Sequence, residues 1–209
     1  MESKLLYHIT DYRNLPSILV KGHLATHSFV SSKQMPYSDI AHQSIQYRRI
    51  TKKVDVYPYG VLHDYVPFYF APRSPMLYAL SNGRVEGFQG TQDDIIYLVT
   101  SIDNIVNREK EFVFTDGHAI MFITEFYNDL NDLKELDWDV LKSRYWNDTN
   151  EDPDRKRRRQ AEFLVYHSAE LDLFLGIGVR NNDMKHKVNE ILKEYNVDMQ
   201  VLTRPSFYY

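Results

Sequence analysis

Strand-forming and helix-forming runs follow one another irregularly along this chain, and no strict strand–helix alternation can be laid over them. Residues 66–70, 95–100, 112–114 and 162–166 are short β-branched or aromatic runs, predicted strands. A doubly wound parallel sheet needs a helix after nearly every strand, so the pattern favours a mixed α+β domain. Residues 5–10 form a further strand, followed by a helix over about 14–21 that Asp11 starts and Gly22 stops. Residues 35–53 have helical spacing, with Ile40, Ile45 and Tyr47 on one side. Ser74-Pro75 opens a short helix through Leu80, with proline in the first turn, where its missing amide costs nothing. Residues 126–133 are a helix candidate, and 183–195 an amphipathic helix burying Met184, Val188, Ile191 and Leu192. Residues 171–179 and 197–202 read as the last strands. The span 137–154 holds Trp138, Tyr145 and Trp146 without periodicity and is broken by Pro153. It reads as a long loop, and long loops are often functional.

At 209 residues the chain fits a single domain, 1–209. It has no cysteine, which excludes disulfides, thiolate zinc sites and a Cys nucleophile. The eight histidines lack metal-ligand spacing, so no metal is expected. No run approaches the ~20 apolar residues of a membrane span, and no signal peptide is visible. The expectation is a cytoplasmic monomer with no membrane partner.

The P-loop, the dinucleotide glycine motif and Gly-X-Ser-X-Gly are all absent. A nucleotide would have to be held by side chains and scattered backbone groups. Five cations, Arg155 to Arg159, run into Gln160-Ala161-Glu162, in a chain of formal net charge −4. Arg48, Arg49, Lys52 and Lys53 form a second basic group. Converging, the two would make a phosphate groove, with Trp138, Tyr145, Trp146 and Tyr166 available to stack on unpaired bases. Apart, they are solvated faces. Glu162 opens an apolar strand, where it either faces a sugar as a charge stabiliser or faces solvent beside an Arg. His8 and Thr10 share one strand face, fit for a ribose or amide or for a satisfied core histidine. Tyr69 is able to face a cleft. Arg73, between two prolines, calls for an anionic partner or open solvent.

Several segments together resemble the DNA ADP-ribosyltransferase toxins of DarTG toxin–antitoxin systems, in their thymidine-modifying branch. They are Tyr7-His8-Ile9-Thr10, Gln46-Tyr47-Arg48-Arg49, the run from Gly60 to Phe70, and Pro72-Arg73-Ser74-Pro75-Met76-Leu77. The run from Phe112 to His118, Leu136-Asp137-Trp138, the run from Gln160 to Val165, and Tyr208-Tyr209 complete them, in order along nearly the whole chain. The resemblance implies an ADP-ribosyltransferase fold, with a split, mainly antiparallel β core gripping NAD+ as co-substrate. It implies transfer of ADP-ribose to thymine N3 in single-stranded DNA, and a macrodomain-containing antitoxin as partner. Transfer to RNA or another base, and a non-catalytic strand-binding module, are the alternatives. By resemblance Glu162 is the catalytic glutamate and Arg49 assists thymine deprotonation. His8, Ile9, Thr10, Asn14, Tyr69 and Leu77 would hold NAD+. Arg48, Arg73, Met76, His118, Trp146, Arg157 and Arg158 would meet DNA, with residues 137–160 as the substrate-recognition loop.

Overall fold

The computed structural model describes residues 4–34, 37–85 and 87–209. Along the chain come β1 (Leu5–Asp11), α1 (Leu15–Lys21), β2 (His23–Ala25), α2 (His27–Ser32), α3 (Gln43–Thr51), β3 (Tyr65–Tyr69) and α4 (Pro75–Ser81). Then follow β4 (Ile95–Ser101), α5 (Ile102–Asn107), β5 (Phe112–Thr115), β6 (Phe126–Tyr127), α6 (Trp138–Lys142) and α7 (Arg155–Arg158). The chain closes with β7 (Glu162–Tyr166), β8 (Ser168–Glu170), β9 (Gly176–Val179), α8 (Asn182–Glu194) and β10 (Val201–Thr203). Eight strands make one sheet in the order β10-β9-β4-β1-β3-β7-β5-β6, while β2 and β8 form a small second sheet. Every pair is antiparallel except β9 with β10.

The central joint of the large sheet is weak. β1 pairs with β4 along its whole length, but with β3 only through Tyr7 and Tyr69. β3 pairs in turn with all five residues of β7, from Tyr65–Tyr166 to Tyr69–Glu162. The sheet is therefore two zipped halves touching at one residue pair. This is the split core that the resemblance implied.

Alternation along the strands sorts the core. Phe163 and Val165 of β7 enter the main core with Phe68 and Phe114, whereas Leu164 joins a smaller cluster on the opposite face. Tyr7 and Ile9 of β1 pack with Leu77, Leu80, Tyr97 and Tyr208. His8 and Thr10 are thereby turned the other way.

Start and stop signals hold at α1 and α4. Gly22 takes a left-handed φ of 75° and its amide closes on Ile18 and Leu19. The Ser74 hydroxyl accepts from the Leu77 amide at 3.1 Å, one residue ahead of Pro75. Asp11 caps a 3-10 turn, Tyr12–Asn14, that precedes α1.

Other expectations need correction. The helix expected over 35–53 is confined to Gln43–Thr51; residues 37–42 are irregular, and 35 and 36 lie outside the described residues. Residues 126–133 are not a helix but β6 followed by a 3-10 turn, Leu130–Glu135, because Phe126 completes the ladder to Thr115 and Asp129 caps the turn. The 137–154 span carries α6, capped by Asp137, whose carboxylate accepts from the Val140 amide. The strands expected at 171–179 and 197–202 shorten to β9 and β10.

Candidate active site

Where β1 and β3 part, a cleft of about 780 Å³ opens, within the range of small-molecule sites. His8, Ile9, Thr10, Asn14, Tyr69, Met76, Arg48, Arg49, His118, Arg157 and Glu162 all line it. Segments far apart in sequence thus meet, and each is delivered by a different element.

Glu162 is the first residue of β7 and only 4% exposed. Its amide is held by the Thr115 hydroxyl at 3.0 Å, which fixes the strand start against β5. The carboxylate accepts from Arg49 Nη1 at 2.8 Å and from the Ala119 amide at 3.2 Å. His118 Nδ1 stands 3.4 Å from Oε1, close enough for charge but not aligned as a hydrogen bond. Burial alone would raise this carboxyl; the Arg49 charge, then His118, outweigh it and bring Glu162 down to about 2. It is ionised at neutral pH.

Arg49 arrives from the last turn of α3. One guanidinium nitrogen serves Glu162; the other, Nη2, is buried without a hydrogen-bond partner among the described residues. A buried donor of this kind costs about 1–3 kcal/mol until an acceptor reaches it. The site therefore has a built-in demand for an acceptor beside the carboxylate.

His8 lies across the split. Its Nδ1 donates to the Pro67 carbonyl at 2.8 Å, which leaves Nε2 as the ring's acceptor. Burial drives this imidazole down to about 4, against the smaller pull of that carbonyl. It is neutral at pH 7, so His8 itself adds no cation to the site. The Thr10 hydroxyl accepts from Asn14 Nδ2 at 3.0 Å, and the Asn14 amide also brackets the Ser38 backbone at 2.9 Å on both sides. Asn14 thus shapes the cleft wall, its side-chain amide engaged within the protein.

Not every sequence candidate reaches the cleft. Leu77 is fully buried in the Tyr7–Ile9 cluster. Arg73, at a left-handed φ of 60°, donates to the Tyr208 carbonyl at 2.8 Å, so its partner is the chain's own C-terminal segment. Trp146 is 7% exposed, with its indole N–H on the Tyr209 hydroxyl at 2.9 Å and its ring perpendicular to Tyr78; it is not free to stack on a base. Arg158 is spent on Asp137, Asp152 and Asp154. Arg157 does line the cleft, but it is clamped to Asp116 at 3.0 Å and Asp154 at 2.7 Å. Arg159 is buried on the carbonyls of Leu141, Pro72 and Arg73. The basic run is therefore mostly an internal brace, since aspartates around it cancel its charge.

Gln46, His63 and the Ala119 amide were missed. Gln46 sits three residues before Arg49, on the same face of α3, so helical spacing would have found it. Its amide nitrogen reaches Asp39 at 2.9 Å and its oxygen meets His63 Nε2 at 2.9 Å. The Ala119 amide carries no side-chain signal. Among the described residues no group of three or more His, Asp or Glu is placed to hold a metal, and no helix is long and apolar enough to cross a membrane.

An antiparallel sheet parts around a cleft of small-molecule size, with an ionised glutamate opening the strand beside it, and the chain's relatives place it among NAD+-dependent ADP-ribosyltransferases. The family described as ssDNA thymidine ADP-ribosyltransferase, DarT, matches residues 7–209, and the chain belongs to it: a DNA ADP-ribosyltransferase of the toxin–antitoxin type. A DNA ADP-ribosyl transferase of Thermus sp. (strain 2.9) is 42% identical over 190 residues, covering 91% of this chain and 88% of that protein. Solved structures of Thermus sp. 2.9 DarT superpose over the whole chain. The complex with ADP-ribosylated ssDNA gives a TM-score of 0.92 at 39% identity, covering 98% of that chain. The complex with NAD+ gives 0.88 at 37%, covering 99% of that chain. A Thermosipho africanus DNA ADP-ribosyl transferase–DNA ADP-ribosyl glycohydrolase fusion protein is 26% identical over 206 residues, 98% of this chain and 49% of that protein.

Proposed function

We propose that the enzyme transfers ADP-ribose from NAD+ to N3 of thymine in single-stranded DNA, within a short sequence context, releasing nicotinamide. The observation that carries this reading is the buried pair of Glu162 and Arg49, with Arg49 Nη2 left for an acceptor. NAD+ supplies an activated sugar carbon whose bond to nicotinamide breaks as the bond to N3 forms. Glu162, already ionised, stabilises the positive charge that develops on that sugar. Arg49 stays protonated, as arginine does, and stabilises the thymine anion left when N3 releases its proton to solvent. Thymine O4 or O2 is the acceptor that Nη2 lacks. Neutral His8, Thr10, Ile9 and Tyr69 line the NAD+ side; Tyr69 stands directly across the ladder from Glu162. Arg48, Met76 and His118 line the DNA side. Single strands suit the site, because pairing occupies N3 in a duplex.

The protein is proposed to act as a monomer in the cytoplasm, on its DNA substrate. The Thermosipho africanus fusion joins the transferase to a glycohydrolase in one chain, which supports a separate macrodomain antitoxin as partner here. The test is incubation with NAD+ and single-stranded oligonucleotides, each carrying one candidate base, followed by mass spectrometry with fragmentation. One ADP-ribose on the thymine strand alone is expected. An adduct on another base, on RNA only, or on none overturns the assignment.

A further inference from the structure

Just beyond the Ala119 amide that touches Glu162, the chain displays three apolar residues in succession. Met121 is 39% exposed, Phe122 94% and Ile123 60%. An almost fully exposed phenylalanine contributes nothing to the fold, yet the turn that carries it is tightly held. Met121 N–H donates to the His118 carbonyl at 2.9 Å and Thr124 Oγ1 to the same carbonyl at 2.9 Å. Arg157 Nη1 braces Thr124 at 3.2 Å. From α3, Arg48 Nη2 grips the Ile120 carbonyl at 3.1 Å, and Lys52 Nζ approaches that of Met121 at 3.5 Å. Met121 and Arg48 both line the cleft, so the turn forms part of its rim.

A rigid turn that presents one aromatic ring beside two cations, next to a DNA-modifying centre, has an economical use. We propose that Phe122 is a stacking platform for an unpaired base adjacent to the modified nucleotide, with Arg48 and Lys52 meeting the phosphates that flank it. The proposal rests on single-stranded DNA as substrate and extends that reading to the strand outside the cleft. The occupant follows from size and charge. One ring with two aliphatic neighbours is far below the roughly 1,200–2,000 Å² of a stable protein interface. It matches one base, and the neighbouring side chains that hold the turn are positive, as a polyanion requires. Asp116, the carboxylate packed behind the turn, is neutralised by Arg157.

Binding of a fluorescent mixed-base single-stranded oligonucleotide, without NAD+, reads the platform whichever base accepts ADP-ribose. Phe122→Ala should weaken it about 5- to 100-fold, the loss of one stacking contact. Phe122→Trp should bind within a few-fold of wild type. Val20→Ser, equally a surface change on α1 (72% exposed in Val20), serves as the control and should not alter binding. Oligonucleotides abasic at one position beside the target should weaken wild type at a single position, with Phe122→Ala indifferent there. In turnover the loss should fall on KM for DNA, with kcat at saturating oligonucleotide within about twofold. Wild-type affinity in Phe122→Ala, or an equal response of both proteins to every abasic position, overturns the platform while leaving the base assignment untouched. An adduct on a base other than thymine does the reverse.

Discussion

At the residue scale, the site pairs Glu162 with Arg49 and keeps His8 neutral. Glu162→Gln preserves the shape and still offers an acceptor to Arg49, but removes the charge proposed to face the sugar and leaves the Ala119 amide or its own new donor unsatisfied. The expected outcome is a 10²- to 10³-fold fall in kcat, about 3–4 kcal/mol, with oligonucleotide affinity nearly unchanged. Turnover within a few-fold of wild type would remove Glu162 from its role. His8 allows a second check. An ordinary histidine takes up its proton near 6.5, whereas burial holds His8 at about 4. An NMR titration of the His8 ring should therefore show no protonation from pH 8 down to about 5.5. A midpoint near 6.5 for that ring would mean that the imidazole is solvated and not in the split. The place of Glu162 at the head of β7 was legible in the sequence, because an acid opening an apolar run is a local signal. Arg73, Trp146 and Arg158 misled because their true partners, Tyr208, Tyr209 and Asp137, are defined only by tertiary contact.

At the element scale, on the proposed reading the strands deliver the NAD+ side and a braced turn delivers the DNA side. The split between β1 and β3 was not visible in the residues, since both read as ordinary strands; it arises because pairing stops at Tyr7 and Tyr69. α1, α4 and α8 were legible because their caps and spacing are local. The segment at 126–133 was not, because Phe126 is drawn into a ladder with β5 that no local rule anticipates. The brace deserves a test of its own kind. Arg157 ties α7 to the 116–124 turn through Asp116 and Thr124, and its carbonyl accepts from the His118 amide. Gly117 has no Cβ because one would collide with the Arg157 guanidinium. Arg157→Ala should therefore act by loosening His118 and the Ala119 amide. It is expected to lower kcat about 10-fold and raise hydrogen exchange across 116–124, while the salt dependence of DNA binding stays the same. A flattened salt slope would instead make Arg157 a phosphate contact.

At the scale of the whole molecule, 25 cations against 29 acids give a net charge of −4, and the five-cation run is largely neutralised by Asp116, Asp137, Asp152 and Asp154. On the proposed reading, attraction for DNA is consequently local, at the cleft rim around Arg48 and Lys52. The same burial that readies the site makes the fold sensitive to acid. His8 and His63 are both held at about 4, each chiefly by burial and His63 also by the neighbouring His27 and Arg49. In the unfolded chain both titrate near 6.5, so between pH 6.5 and 4 the unfolded state binds more protons and stability falls. Each histidine contributes a slope of up to about 1.4 kcal/mol per pH unit within that window. Glu162, held near 2 against an ordinary value of 4.5, adds its loss only between pH 4.5 and 2. Urea unfolding followed by fluorescence should show full stability above pH 6.5, a decline from there to pH 4, and a further, shallower loss below it as Glu162 takes up its proton. His63→Gln keeps a donor for Gln46 and removes one titration, so it should roughly halve the slope between pH 6.5 and 4. Stability that is level across that interval in the wild-type protein would mean that these imidazoles are open to water, and with them the cleft they help to wall.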